Sequence, residues 1–267
     1  MKINNYILFF VLLFFSGCEK EINISLNKGN HQLVIDGNLS TVIGESYVKI
    51  TKTLNIDEIT EYPTISKALV TITDSMQSKT DTLTESTPGT YTKDSLKGIE
   101  GHIYKLLVKI GTDKYTSTST IPYSIKLDTL IQTNKAGEKN MDLPGRADSL
   151  TTIQVLPIFT NLTRTDKYYQ FIITKNRYVL NGIIARSDLG SKGYSIPYPL
   201  FIEAKKNDLI TIDMQFVDKT VYDCLFGLGQ NINQFSATPT NPSSNISNGV
   251  LGFFNAHSTQ KKKMVIK

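Results

Sequence analysis

Short runs in which apolar or β-branched residues alternate with polar ones recur along this 267-residue chain, while helical periodicity is scarce. Such runs fit a pleated surface buried on one face, so the pattern reads as mainly β. Gln32 to Ile35, Tyr47 to Ile50, Ala68 to Thr73, Tyr104 to Ile110 and Lys114 to Thr120 form a first group with sandwich-like spacing. Ser86-Thr87-Pro88-Gly89 and Lys97-Gly98 to Gly101 supply turns, since proline presets φ and glycine accepts φ > 0. The group stops near Ile121-Pro122, which sets an expected first domain over 31–122.

A second β-rich domain is expected over 123–267, from Lys126 to Gln132, Thr151 to Phe159, Tyr168 to Thr174, Arg177 to Ile184 and Leu209 to Phe216. Between the first two runs, Asn134 to Ser149 reads as a long polar loop. One helix is expected: Asp218 can cap a segment from Lys219 to about Phe235, with Val221, Leu225 and Leu228 on one face and Gly227 and Gly229 weakening its middle. Pro239 to Asn248 reads as an ordered loop leading into a final strand over Gly249 to Ala256, and Lys261 to Lys263 as a solvated tail.

The N-terminus carries a different message. Lys2 precedes Tyr6 to Phe15, ten residues with no polar group beyond one phenol, which is too short to span a bilayer and suits a secretory signal over 1–17. Ser16-Gly17-Cys18 resembles the lipobox of bacterial lipoproteins, with Phe15 where an aliphatic residue is usual. The resemblance implies that Cys18 is lipidated and becomes the first residue of a tether over 18–30, and several acyl chains hold far better than one. Glu19-Lys20-Glu21 resembles the signal that sends such proteins to the outer face of the outer membrane in Bacteroidetes-type bacteria. With Cys18 acylated, Cys224 has no disulfide partner within the chain, and stability must come from the core.

Sites of chemistry are hard to find. His31, His102 and His257 stand apart, with no metal-site spacing, no nucleophile elbow and no phosphate-binding loop, so neither a metal nor a cofactor is expected and the chain is read as a non-enzyme. The net charge of +5 is scattered, which gives no reason to expect a nucleic-acid partner. Cys224 beside Leu225 and Phe226 reads as a buried thiol. Tyr194-Ser195-Ile196-Pro197-Tyr198-Pro199 is the best candidate for a stiff aromatic loop, with Tyr194 and Tyr198 as ligand contacts or as packing for the second domain. Five Asp-Ser/Thr-apolar triplets, at Ser75, Thr82, Ser95, Thr129 and Ser149, resemble a short O-glycosylation motif of Bacteroidetes, although Asp before a β-branched residue also opens hairpin strands.

Taken in order, CEKEI at 18–22, LVIDGNLS at 33–40, ISKALVTITD at 65–74, PGTYTKDSLKGIEGHIYKLLV at 88–108 and NPSSNISNGVLGFFNAHS at 241–258 resemble the lipoprotein family called domain of unknown function 4249. The resemblance implies an N-terminal immunoglobulin-like sandwich, a second β-rich domain and association with a TonB-dependent outer-membrane receptor. It brings no catalytic residues. The resulting expectation is an outer-membrane, surface-facing lipoprotein that binds a ligand or hands it over to a transporter. A structural or adhesive surface protein and a hydrolase are the alternatives.

Overall fold

The computed structural model describes residues 31–55, 58, 60–134, 151–159, 167–189, 198–232 and 242–267. The chain is mainly β, with one α-helix among the described residues. Its first strands are β1 (Leu33–Ser40), β2 (Tyr47–Lys52), β3 (Leu69–Asp74), β4 (Lys79–Thr87), β5 (Thr90–Thr92), β6 (Ile103–Ile110) and β7 (Asp113–Thr120). There follow β8 (Leu127–Gln132), β9 (Thr151–Phe159), β10 (Tyr168–Lys175), β11 (Tyr178–Val179), β12 (Ile184–Ser187), β13 (Leu200–Ala204) and β14 (Leu209–Val217). The helix α1 (Lys219–Ile232) and the long β15 (Leu251–Val265) close the chain.

Among the described residues twelve strands make one mixed sheet, in the order β11-β10-β14-β15-β1-β2-β5-β4-β3-β6-β7 with β12 beside β10. Alternation decides what each strand buries: Tyr104, Leu106 and Val108 of β6 point inward while Ile103 and Lys105 face water. The sheet rolls until β7 meets β15, where the Ala256 amide donates to Ser119 Oγ at 3.1 Å. Inside this roll lies the first core, built on Ile35, Leu39, Ile50, Val70, Tyr91 and Leu106.

The second core is a sandwich. A three-stranded sheet, β13-β9-β8, covers the β10-β14-β15 part of the large sheet. Tyr169, Phe171, Ile212, Met214 and Phe216 from below meet Ile153, Val155, Phe159 and Ile202 from above. α1 covers the opposite face through Val221 and Leu225, which bury against Ala185 and Val217. Asp218 caps the helix as expected, its Oδ1 accepting the Val221 amide at 2.9 Å. Gly229 has a packing reason, because a Cβ there would lie 3.1 Å from the Ile183 carbonyl.

β15 serves both cores. Its first half, Leu251 to His257, pairs in parallel with β1, and its second half, Ser258 to Val265, pairs antiparallel with β14. Phe254 and Ala256 accordingly fill the first core, whereas Met264 packs against the second. The start of β15 lies so close to β1 that only glycine fits: Gly252 has φ +96°, and a Cβ on it would stand 2.1 Å from the Ile35 carbonyl oxygen.

Two local expectations are corrected here. Lys261 to Lys263 are no tail but lie within β15, opposite Asp213, Ile212 and Thr211, because the β14 ladder carries the strand well past Ala256. The run Arg177 to Ile184 is not continuous: Gly182 takes φ +130° and divides it into β11 and β12.

Candidate functional site

An aromatic row runs across the face that α1 covers. At the start of β10, alternation sends Tyr169 into the second core and Tyr168 to the other side. On α1, Tyr222 and Phe226 stand four residues apart and therefore on one flank of the helix. Tyr168 meets Tyr222 with ring centroids 4.9 Å apart, and Tyr222 meets Phe226 at 5.7 Å. Phe226 ends the row 44% exposed, so its ring is open to an incoming group.

Polar groups flank the row. Arg186, on β12 and exposed, donates from Nη1 to the Ala185 carbonyl at 2.9 Å. The Tyr198 hydroxyl donates to the Ser187 carbonyl. Beneath them, Asp188 accepts the Tyr169 hydroxyl at 2.6 Å and the Lys167 amide at 2.6 Å. Burial pushes the Tyr169 phenol up, and the hydrogen bond to Asp188 and its charge push in the same direction. Burial likewise raises Tyr198; Asp188 adds to that shift and Arg186 opposes it. Both phenols thus stay protonated and can donate. Ring faces, hydroxyls and a guanidinium offer stacking and hydrogen bonding, which is recognition chemistry.

Of the residues singled out in the sequence, Cys18, Tyr194 and Ser149 lie outside the described residues. Tyr198 is half-buried beside the row, tied to the β12 backbone, and is close enough to Tyr222 for the two phenols to influence each other. Thr82, Ser95 and Thr129 are exposed. Ser75 differs, for its Oγ is buried without a hydrogen-bond partner. The neighbouring Asp74 serves a turn: its Oδ1 accepts the Met76 and Gln77 amides, and its Oδ2 accepts the Tyr104 hydroxyl and contacts His102 Nδ1 at 2.7 Å.

The histidines do not converge. His31 contacts the Thr53 carbonyl, His102 pairs with Asp74, and His257 is buried on β15 with Nδ1 unpartnered. Among the described residues no group of three or more His, Cys, Asp or Glu side chains is placed to hold a metal ion. Cys224 is buried on α1, where burial pushes its thiol up.

Sequence reasoning missed Tyr168, Arg186, Tyr222 and Phe226. The four-residue spacing of Tyr222 and Phe226 was the only local signal, and it says nothing of the strand residue that completes the row. The model of the family described as a domain of unknown function, DUF4249, matches residues 19–263. The chain belongs to this family. In this DUF4249 chain the match spans the first core, the aromatic row and all of the second core but Met264 and Ile266. No curated protein matches it. No helix among the described residues of this DUF4249 protein is long and apolar enough to cross a membrane.

Proposed function

We propose that this protein is a non-enzymatic lipoprotein of the outer membrane, anchored through acyl chains on Cys18 and facing outward, that binds a ligand and hands it to a TonB-dependent transporter. The apolar signal ending in Ser16-Gly17-Cys18 supports the anchor, and Glu19-Lys20-Glu21 supports the outward orientation. The observation that carries the binding role is the aromatic row Tyr168-Tyr222-Phe226, open at Phe226 and flanked by Arg186 and Tyr198. Rigid rings held by a helix and a strand lose little entropy on binding, so such a row suits capture of a ligand with a flat or ring-shaped face.

The test is genetic and biochemical together. A deletion strain should lose uptake of one nutrient, and a strain carrying Tyr222→Ala with Phe226→Ala should show the same loss while the protein still fractionates with the outer membrane. Normal growth of the deletion strain on every nutrient, with no receptor copurifying from detergent-solubilised outer membrane, would sink the reading. Binding to a host or matrix polymer without dependence on any transporter would instead favour an adhesive role.

A further inference from the structure

One side of α1 is built as a platform with a polar rim. Lys219, Tyr222, Asp223 and Phe226 are spaced three and four residues apart, so they rise on the same side of the helix. Phe226 brings the open ring. Tyr222 stacks beside it and, like Tyr168, packs against the cluster of Val221, Leu225, Val217 and Ala185, so both tyrosine rings are held in place before anything binds. Lys219 Nζ meets an Asp223 carboxylate oxygen at 2.6 Å, and both side chains reach water. The hydrogen bond to Asp223 raises Lys219 above its usual value and Tyr168 and Tyr222 add to the rise, which places the ammonium beside both phenols. Among the described residues neither the Tyr168 nor the Tyr222 hydroxyl has a hydrogen-bond partner.

The charge around this platform balances. α1 carries Lys219 and Asp223 alone, and the chain ends beside it carry Lys167, Arg186, Asp188 and Asp218, which makes three cations and three carboxylates. Asp218 is committed to Val221, Ser119 and Thr120, and Asp188 to the Tyr169 hydroxyl and the Lys167 amide. Lys167 Nζ donates to the Tyr123 carbonyl at 3.4 Å, and Arg186 and Asp188 act on Tyr198 in opposite senses. No net charge is left to draw an ion. A wholly apolar ligand fits no better, because on settling over Phe226 it would strip water from the ion pair and the two hydroxyls and return no hydrogen bond to any of them.

We infer that the row takes a neutral cyclic polyol, a sugar ring without carboxylate, phosphate or amine; the inference rests on the binding role proposed above. Such a ring matches both halves of the platform. One face of a pyranose presents C–H groups, which lie on the negative face of an aromatic ring such as Phe226. The hydroxyls around its rim donate to the Asp223 carboxylate and accept from the Lys219 ammonium and the two tyrosine hydroxyls, so every polar group of the rim keeps a partner when water leaves. A free oligosaccharide and the end of a longer glycan share this chemistry.

The experiment is isothermal titration of the full chain with neutral trisaccharides of glucose, mannose, galactose and xylose, with uronic-acid and amino-sugar counterparts, and with indole as an aromatic ring that lacks hydroxyls. The expected result is saturable binding of at least one neutral sugar, weaker or absent binding of its charged counterparts and of indole, and an affinity that changes less than about twofold between ~10 mM and ~1 M salt, where the screening length falls from ~30 Å to ~3 Å. Phe226→Ala should weaken that binding by about tenfold and Tyr222→Phe, which loses a hydroxyl alone, by about fivefold. Tyr178→Ala, on β11, should leave it unchanged, and an unchanged thermal melt shows that the variants fold. Retention of the chain on an insoluble polymer of the sugar that binds assigns the ligand to glycan ends, and binding of the trisaccharide alone assigns it to free oligosaccharides. Binding of none of the neutral sugars, tighter binding of a charged counterpart or of indole, or binding that survives Phe226→Ala would each overturn the inference. Uptake in cells that depends on Tyr222 and Phe226 while no neutral sugar binds would sink the polyol and leave the binding role standing.

Discussion

Asp218 joins three elements, and its replacement measures how firmly the two cores are coupled. Oδ1 caps α1 through the Val221 amide at 2.9 Å. Oδ2 accepts Ser119 Oγ at 2.6 Å and the Thr120 amide at 2.9 Å, both at the end of β7, and Ser119 Oγ in turn accepts the Ala256 amide of β15. Asp218→Asn preserves a good cap but puts an amide donor in place of one acceptor, leaving the Ser119 and Thr120 donors in competition with it. Hydrogen bonds to a charged group contribute about 1.5–3 kcal/mol, so the loss should be about 2 kcal/mol. Asp218→Ala removes the cap as well, a further ~1 kcal/mol, for about 3 kcal/mol in all. Domains of this kind have about 5–15 kcal/mol in total. Urea unfolding of the full chain, followed by far-UV circular dichroism and tyrosine fluorescence because the chain lacks tryptophan, should show midpoints falling in the order wild type, Asn, Ala. Equal midpoints for wild type and Asn would refute the claim that the β7 contacts carry the coupling.

Burial holds His257 down to about 4, with the Asn255 carbonyl and Glu45 acting against that shift and Lys261 adding to it. Between that value and the usual ~6.5 the unfolded chain binds the proton and the folded chain does not, so stability should rise from pH 4 to pH 6.5 and His257→Gln should flatten that rise in a urea titration. Gly252→Ala places a Cβ against the Ile35 carbonyl at φ +96°, and should cost about 3 kcal/mol or prevent folding, read by thermal melting. If the Asp-Ser/Thr-apolar triplets are modified, mass spectrometry of protein from its native host should find glycan on the exposed Thr82, Ser95 and Thr129 and none on Ser75, whose hydroxyl is enclosed; a glycan on Ser75 would contradict the enclosure.

The legible parts of this protein are those whose cause is local. Alternation along β6, β10 and β14 is written in neighbouring residues, and Asp218 before a periodic segment announces a helix start because the cap bonds lie within three residues. The break at Gly182 was missed although its signal is local, since Asn181-Gly182 inside the run is a turn dipeptide. The candidate site was harder still. Tyr198 was found, but the row beside it joins Tyr168 of β10 to Tyr222 of α1, and no periodicity relates a strand residue to a helix residue more than fifty positions on.

By itself, then, the sequence determined that the chain is mainly β, where its helix starts, and that a short apolar run precedes a cysteine. Tertiary structure decided that β15 is shared, pairing in parallel with the first strand and antiparallel with the last but one, and that Lys261 to Lys263 lie in a strand. It also decided that two distant turns and the end of β15 meet at one end of the second sandwich. The reason is the same in each case: side-chain period follows from backbone geometry residue by residue, whereas strand partners are chosen by burial across hundreds of positions, and nothing in a local stretch records which distant stretch will cover it.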